Sequence, residues 1–316
     1  MFVVGGESLI DLVPGSDGAR VAHAGGSPFN CAIALRKLGN DVGFLCPISQ
    51  DEYGDLLLTP LAEAGVSVLL EARVAAPTTK AIVSFNERMQ ASYVFERGAD
   101  RAFSRDGLMA ALPGAIELYQ IGGFCPILPE DAAVWSDVVK SAIGRGATVS
   151  FDINVREKLV DDEAGYRERL GHFLDLAHII KLSEEDHEWL HPGQSIESHA
   201  DALLERPNCE LVVVTLGEGG SRAFTREASA VAPIYKPAVF GDTVGAGDSL
   251  MAGILTWLEE AVSLRPEALM ALSEGQLGRM LGFGAVVAGI NCGRKGCQPP
   301  SRAEVDAVLA WVRPGS

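Results

Sequence analysis
Basic residues are scarce in this 316-residue chain: 26 Lys and Arg stand against 42 Asp and Glu, a net charge of −16. No basic run offsets that excess, which argues against nucleic acid or an anionic membrane surface as a partner. Cysteine is sparse as well. Cys31, Cys46, Cys125, Cys209, Cys292 and Cys297 are scattered through mostly apolar runs. Cys292 and Cys297 have four residues between them and no second pair, too little for a zinc site. Buried free thiols in a reducing cytoplasm are the expectation. Long apolar runs are missing too: none approaches the ~20 residues a membrane helix needs. Residues 1–7 lack a basic start and a long apolar stretch, so no secretory leader is expected. There is no internal repeat, low-complexity tract or linker, so residues 1–316 are expected to fold as one domain.

What is present is alternation. Hydrophobic residues make up 47% of the chain, enough for a large core. Short β-branched runs at 2–5, 42–46, 118–121, 148–153, 179–182 and 211–216 read as buried strands bounded by Gly, Pro or Asp. Amphipathic stretches at 28–38, 130–143, 164–176, 247–260, 278–290 and 302–312 read as helices between and after them. Ser27 is placed to cap the first of these, with Pro28 at its first position. Strand and helix in alternation predict an α/β fold of three layers, a mostly parallel central sheet covered on both faces. Ligands then sit at the C-terminal strand ends. Two regions break the rhythm: residues 10–24, rich in Gly and polar groups, and 73–102, where period-2 runs flank Asn86-Glu87-Arg88. They predict a hairpin and a small discontinuous β lid, which would serve as a cover or as a homodimer contact.

The polar residues fall at the predicted strand ends. Asp11 follows the first strand, and Gly25-Gly26-Ser27-Pro28-Phe29-Asn30 opens the first long helix. Asp11 and Asn30 offer acceptors and donors suited to vicinal hydroxyls. Asp152, Asn154 and Arg156 share one face at period 2; they make either a site in which Arg156 clamps an anion or an Asp152–Arg156 salt bridge. Lys181-Leu182-Ser183-Glu184-Glu185-Asp186 either holds Mg²⁺ through water or forms the acidic first turn of a helix. Thr215-Leu216-Gly217-Glu218-Gly219-Gly220 reads as a nucleotide-contacting turn or a hairpin turn. In Gly241-Asp242-Thr243-Val244-Gly245-Ala246-Gly247-Asp248-Ser249, bare amides precede an apolar helix. Such a helix start holds an anion. Asp248 beside it fits a cap, a metal ligand or a proton acceptor.

Taken together, these motifs resemble the ribokinase-like (PfkB) carbohydrate kinases over essentially the full length. The Gly25-Gly26…Asn30…Gly39 stretch, the Asp242-Thr-Val-Gly-Ala-Gly-Asp248 stretch and Arg294-Lys-Gly296 occur in the family's order. The resemblance implies a ribokinase-like fold and ATP-dependent phosphorylation of a primary hydroxyl on a small sugar. D-fructose is first among the sugars, with 2-keto-3-deoxygluconate and ribose as rivals. It implies Asp248 as general base and Gly245, Ala246 and Gly247 as an anion hole. Asp11, Gly26, Asn30, Arg97 and Arg156 match sugar- or phosphate-contacting positions. Ser183, Thr215, Gly217 and Gly220 match ATP-contacting positions. Asp242, Val244, Asn291 and Gly296 fall where members bind a monovalent cation such as K⁺. The family's Asn-x-x-Glu element aligns with Ser183-Glu-Glu-Asp186, where the shorter Asp186, or Glu185, would meet Mg²⁺ through water. Glu96 stands where an aromatic is common. A different class, a binding protein that has lost catalysis, would lack the base or the anion hole, and both are present. A nicotinamide dehydrogenase is disfavoured because Gly5-Gly6 lacks the third glycine.

Overall fold
The computed structural model describes residues 1–15, 19–85 and 91–312. Its larger sheet has nine strands, in the order β13-β12-β11-β10-β9-β8-β1-β4-β5. These are β1 (Phe2–Gly5), β4 (Val42–Leu45), β5 (Ser67–Val68), β8 (Leu118–Gly122), β9 (Thr148–Asp152), β10 (Ile179–Ser183), β11 (Leu211–Thr215), β12 (Ser221–Phe224) and β13 (Ser229–Ala232). The strands from β5 to β11 pair in parallel, and β12 and β13 close one edge antiparallel. The smaller sheet, β3-β2-β6-β7, takes β2 (Leu9–Pro14) and β3 (Arg20–Gly25) from one interrupting region and β6 (Lys80–Phe85) and β7 (Ala91–Glu96) from the other. The turn expected at Asn86-Glu87-Arg88 lies outside the described residues.

Side-chain alternation divides the interior in two. Phe2, Val4, Ile179, Leu211 and Val213 point into one core, with α1 (Ser27–Lys37), α2 (Glu52–Ala64), α8 (Ala246–Ala261), α10 (Glu274–Cys292) and α11 (Arg302–Val312). Val3, Ile180, Leu182, Val212 and Val214 point into the other, with α3 (Arg105–Ala111), α4 (Pro129–Gly144), α5 (Glu163–Leu176) and α7 (Ile196–Leu204). Strands buried on both faces are why these runs read as continuous apolar stretches rather than alternating ones. The expected three layers follow. Two short helices, α6 (Glu184–Leu190) and α9 (Pro266–Met270), fill connections.

Local chemistry sets where helices begin. Asp51, Ser104, Asp162 and Ser195 each accept from a backbone N–H three residues on. Ser273 and Gln276 form a capping box, so α10 starts at Glu274, before the expected 278. The first helix differs from expectation in one respect. Gly26 is its N-cap, and Ser27 makes no capping bond, because its hydroxyl donates to the half-buried carboxylate of Asp248. The acidic run after Lys181 forms a helix start: Ser183 and Asp186 make a capping box for α6. Helices α8 and α10 approach closely at glycines. A Cβ on Gly253 would lie 2.9 Å from the Cα of Gly284, so a larger residue there would push α8, and its N-terminus, out of place. Among the described residues no helix is long and apolar enough to cross a membrane.

Phe44 is fully buried on β4 and meets Phe29 of α1 edge-on, with ring centroids 5.9 Å apart. Phe44→Ala is expected to lower stability by about 3–5 kcal/mol, measured as a fall in the urea midpoint at unchanged m-value.

Candidate active site
The parallel strands end on one edge, and a cleft of about 1140 Å³ opens there between that edge and the smaller sheet. One wall is the start of α8. Gly245 is its N-cap at φ 71, and a Cβ there would run into Cys297 Sγ. Glycine is therefore required twice over, by backbone conformation and by space. Ala246 N–H donates to the Thr243 carbonyl at 3.1 Å; the Gly247 amide that follows lacks an intrahelical acceptor, and both residues line the cleft. The Gly247 amide is suited to an anion.

Asp248 sits in that first turn. Ser27 Oγ donates to its Oδ1 at 2.6 Å, and Asn30 Nδ2 donates to its Oδ2 at 2.9 Å. Loss of solvation pushes its carboxyl above the ordinary range. The two α1 donors and Lys181 oppose the rise, and Asp152 adds to it. Asp248 is thus held in place, half-buried and facing the cleft.

The opposite end of the cleft is carboxylate-rich. Asp11 lines it from β2, and burial raises its carboxyl to about 6, against the pull of His23 and Arg156. Glu7, just past β1, is buried and accepts from the Phe124 N–H at 3.2 Å. Burial pushes it to about 7. Gly123 has no side chain, and a Cβ there would collide with the Glu7 carboxylate. His23, Tyr93, Phe95 and Phe124 complete this end.

At the centre, Lys181 donates to both oxygens of Asp152, at 2.9 and 2.8 Å. Of the two readings of this stretch, the Asp152–Arg156 salt bridge does not form. Strand β9 stops at Asp152, and Asn154 takes φ 44, a conformation Asn tolerates better than most residues. The period-2 face is lost at that turn, and Lys181, the neighbour across the sheet, takes the carboxylate.

Most of the residues singled out from sequence meet in this cleft: Asp11, Gly26, Asn30, Arg156, Ser183, Asp186, Thr215, Asp242, Val244, Gly245, Ala246, Gly247, Asp248 and Gly296. Five do not line it. Arg97 lies behind Phe124, its guanidinium 4.9 Å from that ring's centroid. Its Nε and Nη2 donate to Asp100, at 2.9 and 2.6 Å, because the buried Asp100 carboxylate requires a cation. Glu185 is exposed on α6. Gly217 and Gly220 belong to the turn that joins β11 to β12. Asn291 is fully buried; it donates to the Val244 carbonyl at 2.7 Å and accepts from Gln298 N–H at 2.8 Å. It therefore ties the loop before α8 to the loop after α10. Asp242 does the same, accepting from Val244 N–H at 2.9 Å and Gly296 N–H at 2.7 Å.

Asp186 is already engaged. Its Oδ1 accepts from Val155 N–H at 2.7 Å, and its Oδ2 accepts from the N–H and Oγ of Ser183, both at 2.8 Å. Among the described residues no cluster of three or more His, Cys, Asp or Glu could hold a metal ion. Sequence reasoning missed Glu7, His23 and Phe124. For Glu7 a signal existed: a carboxylate set directly after the strand and Gly5-Gly6, where only apolar or turn residues belong.

Comparison with known proteins places this geometry. The model of the pfkB family carbohydrate kinase matches residues 2–304. The chain is 30% identical to Fructokinase-1 of Zea mays, over 95% of this chain and 94% of that one. The solved fructokinase of Xylella fastidiosa with bound ATP matches at TM-score 0.87 and 26% identity, over 98% of both chains. The ribokinase of Giardia lamblia matches at TM-score 0.81 and 26% identity, again over 98% of both.

Carbon NMR of the side-chain carboxyls is expected to find Glu7 titrating at about 7 and Asp11 at about 6. Glu7→Gln should remove the first transition and leave the second. Both groups titrating near the surface value of about 4 would contradict the burial described.

Proposed function
The chain belongs to the pfkB family of carbohydrate kinases, and from that premise we propose that it transfers the γ-phosphoryl group of ATP to a primary hydroxyl of D-fructose. The observation that carries the reading is Asp248, fixed by Ser27 and Asn30 beside the bare amides of α8. ATP supplies the electrophilic phosphorus, and a divalent cation such as Mg²⁺ travelling with it supplies positive charge. The residues do the rest. Asp11 and Asn30 bind the sugar hydroxyls, with Gly26 leaving room for close approach. Asp248 accepts the proton of the attacking hydroxyl. The new bond joins that oxygen to phosphorus, and the bond from phosphorus to the ADP oxygen breaks, its electron pair leaving with ADP. Amides of residues 245–247 donate to the phosphoryl oxygens, and Arg156 adds a cation at the cleft. Ser183 and Thr215 border the nucleotide end, with the turn carrying Gly217 and Gly220 beyond them. Asp186 meets the cation's water.

The smaller sheet acts as the lid, excluding water from the transfer. Exposed Val21 and Val94 on that sheet support its serving as a homodimer contact as well. The loop pair tied by Asp242 and Asn291, with Val244 and Gly296, supports a K⁺ site that would order the anion hole. Free cysteines among the described residues fit a cytoplasmic enzyme. Glu7 and Asp11 at the sugar end favour a neutral polyol over a carboxylate substrate, which sets fructose ahead of 2-keto-3-deoxygluconate.

Turnover on fructose, 2-keto-3-deoxygluconate and ribose, followed by ADP release, tests the sugar; greatest kcat/KM on the acid sugar would overturn the choice. Asp248→Asn is expected to bind fructose and ATP yet lose about 10³-fold in kcat, and near wild-type turnover would remove Asp248 as the base. Both Asp11 oxygens accept from sugar hydroxyls only when the carboxyl is ionised. KM for fructose should therefore be constant above pH about 6 and rise as pH falls through that value, approaching about tenfold per pH unit.

A further inference from the structure
The strand-end pair at the centre of the cleft carries an inference that rests on the kinase reading and extends it. Lys181 and Asp152 have side chains only 6% and 5% exposed. A buried ion pair of this kind adds little stability compared with apolar residues of the same volume, so its presence at the reaction centre calls for another reason. An ammonium has three N–H donors. Two of them go to Asp152, and the third meets no acceptor among the described residues. The side chain lies directly beneath the anion hole: a Cβ on Gly247 would be 3.4 Å from Nζ and 3.7 Å from Cε. Both residues line the same cleft as Asp248.

We propose that Lys181 is a further catalytic residue, anchored by Asp152 so that its remaining N–H donates to the phosphoryl group held at Gly247. The donor keeps its proton. It contributes charge at the place where negative charge gathers during transfer, in a site shielded from water. Asp152 sets the direction of the ammonium and prevents it from collapsing onto Asp248. In this acidic protein Lys181 supplies, from inside the sheet, a cation that the surface does not.

Lys181 also faces the base. The groups around Asp248 are Ser27, Asn30 and Cys31 of α1, Asp152 of β9, Lys181 of β10, and Cys297 after α10. Lys181 is the cation among them that favours the ionised carboxylate. Its removal therefore moves the acid limb of kcat to higher pH, a change that a purely structural role would not produce.

The test begins with wild-type enzyme, assayed for ADP release with fructose and ATP. No turnover there overturns the kinase reading itself. With the wild type active, the double variant Asp152→Asn/Lys181→Met removes both charges and leaves neither unpaired. It is expected to keep the wild-type circular dichroism and to lose about 10²-fold in kcat. KM for fructose should stay within about threefold, as for an interaction made in the transition state. Its acid limb should not rise above that of the wild type, because the Asp152 charge that raises the Asp248 carboxyl is removed together with the Lys181 charge that lowers it. Lys181→Gln keeps a donor to Asp152 and nearly the original volume; the same fall in kcat is expected, and here, with the Asp152 charge retained, the acid limb should lie above that of the wild type. Wild-type kcat in either folded variant, or an unmoved acid limb in Lys181→Gln, overturns the proposal while leaving the kinase reading intact.

Discussion
One contact organises this molecule: the carboxylate of Asp248 shared between Ser27 and Asn30. It joins the first turns of two helices whose residues lie 221 and 218 positions apart. Both helices pack on the same face of the large sheet, so their N-termini can meet at its C-terminal edge. The contact holds a half-buried charge where a helix dipole favours it, and it requires both helices to sit within hydrogen-bonding distance. The glycine contact between α8 and α10 and the tie made by Asn291 and Asp242 serve the same end. They fix where the bare amides of α8 point.

The cleft concentrates charge against the trend of the surface. Glu7, Asp11, Asp152, Asp186 and Asp248 all line it, and burial raises four of their carboxyls. Glu7, Asp152, Asp186 and Asp248 are each answered by a particular donor. Backbone amides of Val155 and Ser183 meet Asp186, Lys181 meets Asp152, α1 side chains meet Asp248, and the Phe124 amide meets Glu7. A protein of net charge −16 lines this cleft with a helix start and with Arg156, Lys158, Lys181 and Lys295.

Much of the architecture was legible in the residues. The β-branched runs became strands of the large sheet, because a sheet buried on both faces accepts nothing else at those positions. The residues at their ends met in one cleft, since parallel strands place all their C-termini on one edge. Three readings changed for one reason each. Ser27 does not cap its helix, because a carboxylate from a distant helix competes for its hydroxyl. Asp152 pairs with Lys181 rather than Arg156, because β9 ends before Arg156 can share its face. Arg97 turns away from the cleft, because buried Asp100 draws it in.

The sequence by itself determined the alternation of strand and helix, the residue types available at each strand end, and the family signatures at Gly25–Asn30 and Asp242–Asp248. These are local properties, written in periodicity, glycine placement and short spacing. Which charge answers which was decided only by the tertiary structure. Ion pairs and buried carboxylates choose among neighbours a few to more than two hundred positions away, and the choice depends on distance and desolvation, neither of which a linear pattern contains. Glu7 is the clearest case: the sequence shows only a carboxylate set after Gly5-Gly6, and it becomes a buried carboxyl titrating near neutrality because Gly123 leaves it room.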